Sequence, residues 1–119
     1  MKKILVVDDN QAAADGLAKL LKAMGWESEA MYSGADLLNY LSEKQADLAF
    51  IDIGMPDMDG HATVVAVRAF GHMLPTVALT GYGQQEDKDK AMAAGFTAHL
   101  TKPAGAQELR DVLSLLLPE

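Results

Sequence analysis

The stretch Leu48-Ala49-Phe50-Ile51-Asp52-Ile53-Gly54-Met55-Pro56 decides the fold class of this chain. Four apolar residues lead directly into a carboxylate, and a glycine and a proline follow within four positions. A short apolar run that is bounded by turn residues is typical of a strand buried on both faces of a sheet. A carboxylate at the end of such a strand is not a packing residue, so Asp52 is the first candidate functional residue.

Three other apolar runs also end in polar residues. These are Asp8 and Asp9 after residues 4–7, Thr80 after residues 76–79, and Lys102 after residues 98–101. The carboxyl ends of parallel strands in one sheet lie at the same edge, where ligands bind. Three carboxylates, one hydroxyl and one ammonium group are therefore expected to meet at this edge. Such a set of groups indicates an active site.

Apolar residues recur at helical spacing between these runs, so the sequence predicts alternating strands and helices. We expect strands at 4–7, 27–31, 48–52, 76–80 and 97–101, and the third and fourth helices at 59–70 and 84–94. Five such units predict an α/β fold with a doubly wound, five-stranded parallel sheet and five helices. The first, third and fourth strands are nearly continuous apolar runs, which suits central positions. The predicted strand order is 2-1-3-4-5.

The composition limits the class of protein. With 119 residues, half of them apolar, the chain is expected to form one domain over residues 1–119. It has no cysteine, which excludes disulfides and thiolate metal sites and favours a cytoplasmic location. A net charge of −7 argues against direct nucleic-acid binding and is compatible with a bound cation. No apolar run has the length of a membrane span or of a signal sequence.

The candidate residues are suited to phosphoryl transfer. Asp8, Asp9 and Asp52 would repel one another unless positive charge compensates them. Mg²⁺ prefers carboxylates, waters and phosphate oxygens, and Lys102 supplies a second positive charge. A carboxylate so compensated can attack phosphorus to form an aspartyl phosphate. Thr80 could share in stabilising the transferred group.

The same residues carry a family resemblance that covers essentially the whole chain. The chain resembles a receiver domain of two-component response regulators, which implies a flavodoxin-like fold. The matching elements, in order, are Val6-Val7-Asp8-Asp9-Asn10, Asp52 through Gly60, Ala78-Leu79-Thr80-Gly81-Tyr82, Ala94-Gly95-Phe96 and Leu100-Thr101-Lys102-Pro103. Each element alone is a weak match, whereas all of them in register are specific.

The resemblance implies that Asp52 accepts a phosphoryl group from a phosphohistidine donor, either a histidine kinase or a histidine phosphotransfer domain. The phosphorelay receiver would then switch a face formed by its fourth helix, fifth strand and fifth helix. Asp9, Asp52 and the backbone carbonyl of Gly54 would bind Mg²⁺ directly, and Asp8 would act largely through water. No direct nucleic-acid or membrane partner is implied.

The resemblance also assigns roles around the acceptor. Thr80 would move toward the phosphoryl group, and Lys102 would pair with it. The bond from Lys102 to Pro103 is expected to be cis, a conformation essentially limited to bonds before proline. Gly54 and Tyr82 occupy the variable positions that tune the lifetime of the phosphate.

His99 departs from the family pattern, since an aromatic switch residue usually stands three positions before the lysine. Receivers that are fused to hybrid sensor kinases often carry histidine there. The substitution leaves open whether a Tyr/Phe rotamer switch operates in this chain. It also suggests pH-sensitive signalling, because the charge of histidine changes near neutrality.

The sequence also allows other interpretations of these residues and of the function. Asp8 could simply cap a helix, Asp52 could be a turn residue, and Lys102 could be a solvated lysine. A functional alternative is a small phosphatase with an aspartyl nucleophile that acts on external phosphomonoesters. Such enzymes need a second acid two residues after the nucleophile, and that position is Gly54. A flavodoxin-like cofactor carrier fits the fold but lacks an evident flavin-stacking loop.

Overall fold

Strands and helices alternate along the whole chain. A computed structural model describes residues 2–55, 59–81 and 85–117. The elements are β1 Lys3–Val7, α1 Gln11–Ala23, β2 Glu27–Met31, α2 Gly34–Glu43, β3 Leu48–Asp52, α3 Gly60–Ala69, β4 Thr76–Thr80, α4 Gln85–Ala94, β5 Ala98–Thr101 and α5 Ala106–Leu116. The predicted five β-α units are confirmed, with boundaries that differ by about one residue.

The five strands form one parallel sheet in the order β2-β1-β3-β4-β5, as predicted. All residues of β3 and β4 are buried, since helices cover both faces of these central strands. The register pairs Asp52 at the end of β3 with Leu79, and it pairs Thr80 at the end of β4 with Thr101. The carboxyl ends of β3, β4 and β5 therefore lie side by side at one edge of the sheet.

Strand β2 lies at the open edge of the sheet next to β1. Glu27 and Glu29 are exposed and point to the same face of β2, whereas Ser28 between them is buried. The ammonium group of Lys3 on β1 lies 3.6 Å from a carboxylate oxygen of Glu27 and 3.2 Å from one of Glu29. These exposed carboxylates, which share one lysine, give β2 the polar character that suits an edge strand.

Alternate residues of each strand point to opposite faces, which divides the apolar interior into two layers. Helices α2, α3 and α4 cover one face, and the buried residues of this layer include Leu5, Leu37, Val64, Ala91 and Phe96. Helices α1 and α5 cover the other face, and the buried residues there include Ile4, Phe50, Leu21, Leu109 and Leu113. Within the described ranges, no helix has the length and apolar character needed to cross a bilayer.

Side-chain caps set the starts of three helices. Asn10, Ser33 and Asp59 each accept a hydrogen bond from a backbone N–H in the first turn of α1, α2 and α3. Such caps satisfy amide groups that have no partner inside the helix. Asp59 is therefore the N-cap residue of α3. Gly25 ends α1 with a φ of 98°, a conformation that glycine adopts without strain.

Arg68 near the end of α3 connects several elements at the amino end of the sheet. Its guanidinium group donates to the carbonyls of Gly95 at 3.2 Å, His72 at 3.0 Å and Leu74 at 2.8 Å. It also donates to the hydroxyl of Thr76 at 3.0 Å. Burial lowers the pKa of this guanidinium group. Arg68 thus joins α3 to the start of β4 and to the turn between α4 and β5.

Candidate functional site

Asp8 begins the turn between β1 and α1. Its backbone N–H donates to the carbonyl of Met31 at 3.0 Å, so the pairing of β1 with β2 extends one residue beyond the strand. Its Oδ1 accepts the N–H of Asn10 at 3.0 Å, and Asn10 in turn caps α1. These contacts fix a carboxylate that is only 2% exposed at the carboxyl end of β1. Asp9, the next residue, is exposed.

Asp52 is the last residue of β3 and is 8% exposed. The N–H of Ile53 donates to the carbonyl of Leu79 at 3.2 Å, so β3 and β4 remain paired past the acceptor position. The N–H of Gly54 donates to Oδ1 of Asp52 at 3.2 Å. The carboxylate is therefore held at the strand end by the turn that follows it.

Gly60 at the start of α3 packs directly against the backbone of Asp52. A Cβ atom at position 60 would lie 2.6 Å from the carbonyl oxygen of Asp52 and 2.6 Å from Cα of Ile53. Distances this short require the backbone to move. Only glycine allows α3 to begin this close to the end of β3. The sequence motif contains Gly60, but sequence reasoning gave no reason for it.

The structure brings Asp8, Asp9 and Asp52 together. Each offers one carboxylate oxygen, and these three atoms lie within 4.8 Å of one another. The ammonium nitrogen of Lys102 lies 3.1 Å from Oδ2 of Asp8 and 3.2 Å from Oδ1 of Asp52. One lysine thus faces three carboxylates, which leaves an excess of negative charge. Such a set of hard oxygen ligands fits a divalent cation such as Mg²⁺.

The end of β5 positions Lys102. Its backbone N–H donates to the carbonyl of Thr80 at 2.8 Å, which ties the residue to the end of β4. The peptide bond from Lys102 to Pro103 is cis, as the resemblance implies. The Lys102 side chain is about one-third exposed, so its ammonium group bridges the buried carboxylates and the solvent.

The pKa shifts of Asp52 and Lys102 agree with this geometry. Burial raises the pKa of Asp52, and the charge of Asp8 raises it further, while the Gly54 N–H and Lys102 oppose the shift. Burial acts to lower the pKa of Lys102, but its hydrogen bond to Asp8 and its contact with Asp52 outweigh this effect, so the pKa is raised. Asp52 therefore carries its charge at a cost that additional positive charge would relieve.

Thr80 is fully buried at the end of β4. Its hydroxyl group donates to the carbonyl of Leu100 on β5 at 3.3 Å. The side chain expected to assist at Asp52 is thus engaged with the neighbouring strand. A rotation of this side chain would exchange the β5 carbonyl for another acceptor.

His99 lies on β5 opposite Ala78, on the face of the sheet that carries Ala78 and Phe96 in its apolar layer. It is half-buried, and its Nδ1 is buried without a hydrogen-bond partner among the described residues. Tyr82, the second position expected to tune phosphate lifetime, lies outside the described residues. Gly54 is exposed, and a Cβ there would lie 3.8 Å from Oδ1 of Asp52.

A cavity of about 510 Å³ opens over Asp52. Its walls include two residues that sequence reasoning did not place at the site, His61 on α3 and Lys90 on α4. The His61 ring packs edge-on against Phe96, with centroids 6.4 Å apart and an interplanar angle of 82°. His61 directly follows the motif that runs from Asp52 through Gly60, and this position in the sequence was a signal that His61 lies near the site. Lys90 stands in a polar helix, and nothing in its sequence distinguishes it.

The sequence of this chain matches one family model. The model, described as the response regulator receiver domain, matches residues 4–114. The chain therefore belongs to the receiver domain family of response regulators. The comparisons give no support to the alternative of an aspartyl-nucleophile phosphatase.

Similar proteins include both kinases and regulators. The sensor histidine kinase RcsC of Salmonella typhi is 33% identical over 112 residues, which cover 94% of this chain and 12% of the kinase. The transcriptional regulatory protein ZraR of Salmonella typhimurium is 34% identical over 114 residues, which cover 96% of this chain and 26% of the regulator. This chain thus spans only a small part of the length of these relatives.

The structure also resembles solved receiver domains. The chemotaxis protein CheY4 of Vibrio cholerae superimposes with a TM-score of 0.91 and is 30% identical, with 98% of this chain and 99% of that chain covered. The receiver domain of a signal transduction histidine kinase from Syntrophus aciditrophicus gives a TM-score of 0.88 at 27% identity, with 98% and 90% covered. The flavodoxin-like fold predicted from the sequence is confirmed.

Proposed function

We propose that this chain is a phosphorelay receiver that accepts a phosphoryl group on Asp52. The observation that supports this most directly is the combination of a buried carboxylate with Asp8, Asp9 and Lys102 around it. A buried carboxylate with a raised pKa and a specific charged partner is typical of a functional site. Membership of the receiver family supports the same assignment.

The donor would be a phosphohistidine of a histidine kinase or of a histidine phosphotransfer domain. An oxygen of Asp52 attacks phosphorus, the new oxygen–phosphorus bond forms, and the phosphorus–nitrogen bond to the imidazole breaks. The imidazole departs with the electron pair and takes up a proton from water. Lys102 then pairs with an oxygen of the transferred group. Because the product remains bound to Asp52, we expect one transfer per chain and no turnover apart from slow autodephosphorylation.

The three carboxylates would hold Mg²⁺. Asp9, Asp52 and the carbonyl of Gly54 are the proposed direct ligands, and Asp8 would act through water. The excess of carboxylates over ammonium groups fits a divalent cation. When bound, Mg²⁺ supplies positive charge that neutralises phosphoryl oxygens during transfer. Asp8 also orients Lys102, since its Oδ2 lies 3.1 Å from the ammonium nitrogen.

Phosphorylation would change the face formed by α4, β5 and α5. We propose that the Thr80 hydroxyl leaves the carbonyl of Leu100 and donates to the phosphoryl group. This exchange removes a side-chain contact between β4 and β5. His99 neighbours Leu100 on β5 and replaces the usual aromatic switch residue. Its half-buried position would place it where a shift of β5 changes its surroundings.

The proposal also covers the extent of the domain, its location and the lifetime of the phosphate on Asp52. Residues 1–119 would form one receiver domain located in the cytoplasm. Gly54 and Tyr82 would set the lifetime of the phosphate. The position of Gly54 beside Oδ1 of Asp52 supports such a role, since a larger side chain there would limit access of water to the phosphoryl group.

Acetyl phosphate with Mg²⁺ tests the proposal. Wild-type protein is expected to incorporate about one phosphate per chain in a form that base and hydroxylamine release, because acyl phosphates have this reactivity. Asp52→Asn is expected to abolish incorporation. Asp59→Asn is the matched control, because it alters a carboxylate of the same cavity and an amide can also cap α3. Sustained turnover of a phosphomonoester, or undiminished labelling of Asp52→Asn, would contradict the proposal.

A further inference from the structure

The cavity over Asp52 contains a second cation. Lys102 lines it from the end of β5, and Lys90 lines it from α4. Lys90 is exposed, and it forms no ion pair within the part of the chain that the structure describes. Its exposed ammonium group is thus positioned on the wall of this cavity, where a new anion could attract it.

Lys102, in contrast, already has anionic partners. Its ammonium nitrogen contacts both Asp8 and Asp52. An aspartyl phosphate carries close to two negative charges near neutral pH, about one more than the carboxylate that it replaces. Since Lys102 is shared between two carboxylates, the added charge exceeds what this lysine can neutralise. The exposed ammonium group of Lys90 on the same cavity wall is a further source of positive charge from the protein.

Helix α4, which carries Lys90, is anchored at its carboxyl end. Among residues 89–94, only Ala91 is buried. Beyond the helix, Gly95 accepts a hydrogen bond from Arg68, and Phe96 packs against the ring of His61. A force on Lys90 therefore acts on a helix whose carboxyl end is fixed by these contacts.

We propose that Lys90 is a second cationic positioning residue of the acceptor cavity, through which a phosphoryl group on Asp52 attracts helix α4. This inference rests on the proposed function of Asp52 as the acceptor. It adds a specific contact by which the charge of the phosphoryl group is transmitted to α4. In this arrangement Lys102 and Thr80 interact with the phosphoryl group from the ends of β5 and β4, and Lys90 is attracted to it from α4.

Two simpler roles of Lys90 predict different results. A solvated lysine contributes only to net charge, so its removal would have the same effect as removal of any exposed lysine. A lysine that only attracts the carboxylate of Asp59, which lines the same cavity, would affect the unmodified protein and the modified protein equally.

The test compares Lys90→Ala, Lys90→Arg and Lys90→Glu with Lys19→Ala, an exposed lysine on α1 that serves as the charge-matched control. Beryllofluoride with Mg²⁺ is the probe, as a mimic of the phosphoryl group. Calorimetry measures its affinity, and hydrogen exchange measures the protection of α4 with and without the probe. Thermal unfolding without the probe verifies that each variant is folded, and unfolding with the probe shows whether the effect of each substitution depends on the bound mimic.

Lys90→Ala is expected to retain stoichiometric binding but with an affinity about two- to fivefold lower, the size of an exposed ion pair. The probe-induced change in α4 exchange should shrink by at least about half, in line with the loss of that ion pair. Lys90→Arg should restore both quantities, Lys90→Glu should weaken both further, and Lys19→Ala should match wild type. Raising the salt concentration should reduce the difference between wild type and Lys90→Ala.

Equal affinities and equal α4 responses in Lys90→Ala and Lys19→Ala would overturn the inference. An effect of Lys90→Ala on unfolding that is the same with and without the probe would assign Lys90 to Asp59 instead and would also overturn it. If wild-type protein neither binds beryllofluoride nor incorporates phosphate, the proposed function fails first. The two failures are therefore distinguishable.

Discussion

Two partly buried cations, one at each end of the sheet, have opposite roles. Arg68 at the amino end donates to carbonyls and one hydroxyl, all of them neutral oxygens. Lys102 at the carboxyl end contacts the carboxylates of Asp8 and Asp52, with Asp9 close to both. Burial lowers the pKa of Arg68, whereas the carboxylate contacts raise the pKa of Lys102.

The difference lies in the balance of charge around each cation. Around Arg68 the hydrogen-bonding groups satisfy one another, and no further charge is needed. Around Lys102 three carboxylates face one ammonium group, so the site favours additional positive charge such as a divalent cation. The first arrangement stabilises the fold, and the second is suited to binding and reaction. Four predictions test this distinction.

The largest effect is expected from removal of the lysine at the reactive end. Lys102→Met should reduce the rate of phosphorylation by acetyl phosphate about 100-fold, the usual cost of losing one group that stabilises developing charge. The protein should remain folded, because the lysine is partly exposed. Single-turnover labelling measures the rate, and Lys19→Met is the control. A rate within about twofold of wild type would contradict the role of Lys102.

For Arg68, at the amino end of the sheet, we expect a loss of stability and not a loss of phosphorylation rate. Arg68→Met should lower the free energy of unfolding by about 2–3 kcal/mol, because it leaves several backbone carbonyls without their donor. The rate of phosphorylation should change little. Denaturant unfolding and acetyl phosphate labelling measure the two quantities. Arg68→Lys should rescue only part of the stability, since an ammonium group cannot reproduce the planar fork of donors. If Arg68→Met lost labelling without losing stability, Arg68 would belong to the reactive site and would not be a stabilising residue.

Gly60 offers a way to disturb the reactive end without changing its charge. Gly60→Ala should lower the free energy of unfolding by about 1–3 kcal/mol, since its Cβ would overlap the backbone of Asp52 and Ile53. Labelling should slow as well, because Asp52 must move. The matched variant is Gly16→Ala, where nothing lies within 4 Å of the added atom. That change in a helix should stabilise by about 0.5–1 kcal/mol. Similar destabilisation of both variants would argue against the packing explanation.

The smallest effect concerns pH in the absence of Mg²⁺. Because the pKa of Asp52 is raised in the folded protein, the native state holds this proton more tightly than the unfolded chain. Stability therefore falls as pH rises from about 3.9, the ordinary Asp value, through the raised pKa. Asp52→Asn should be more stable than wild type above this window, and the difference should disappear below it. Denaturant unfolding in a chelator measures this, with Asp59→Asn as control. An equal gain in stability for Asp52→Asn and Asp59→Asn would contradict this prediction.

Much of the fold and part of the site could be predicted from the sequence because the signals are local. The apolar run that ends at Asp52 predicts both a strand and the position of its carboxylate. The parallel sheet order then brings Asp8 and Lys102 to the same edge. Each of these inferences needs only short-range pattern and the geometry of parallel sheets.

The features that sequence reasoning missed depend on contacts between distant elements. Arg68 stands near the end of α3 like an ordinary basic residue. Three of its acceptors lie four to eight residues further along, and the fourth, Gly95, belongs to the turn between α4 and β5. Lys90 is separated from Asp52 in the sequence by helix α3, strand β4 and the first part of α4, and only packing brings both to one cavity. The contact of Thr80 with Leu100 is a rotamer choice that no sequence pattern specifies.

The glutamates of the edge strand have a consequence for behaviour at high concentration. An exposed strand edge can recruit a strand from another molecule, which leads to aggregation. A second molecule that approached β2 edge to edge would bring its own Glu27 and Glu29 toward the same two carboxylates, which share only Lys3. Repulsion between these like charges opposes such pairing. We therefore expect neutral replacements at both positions to leave the fold intact and to promote self-association at low salt.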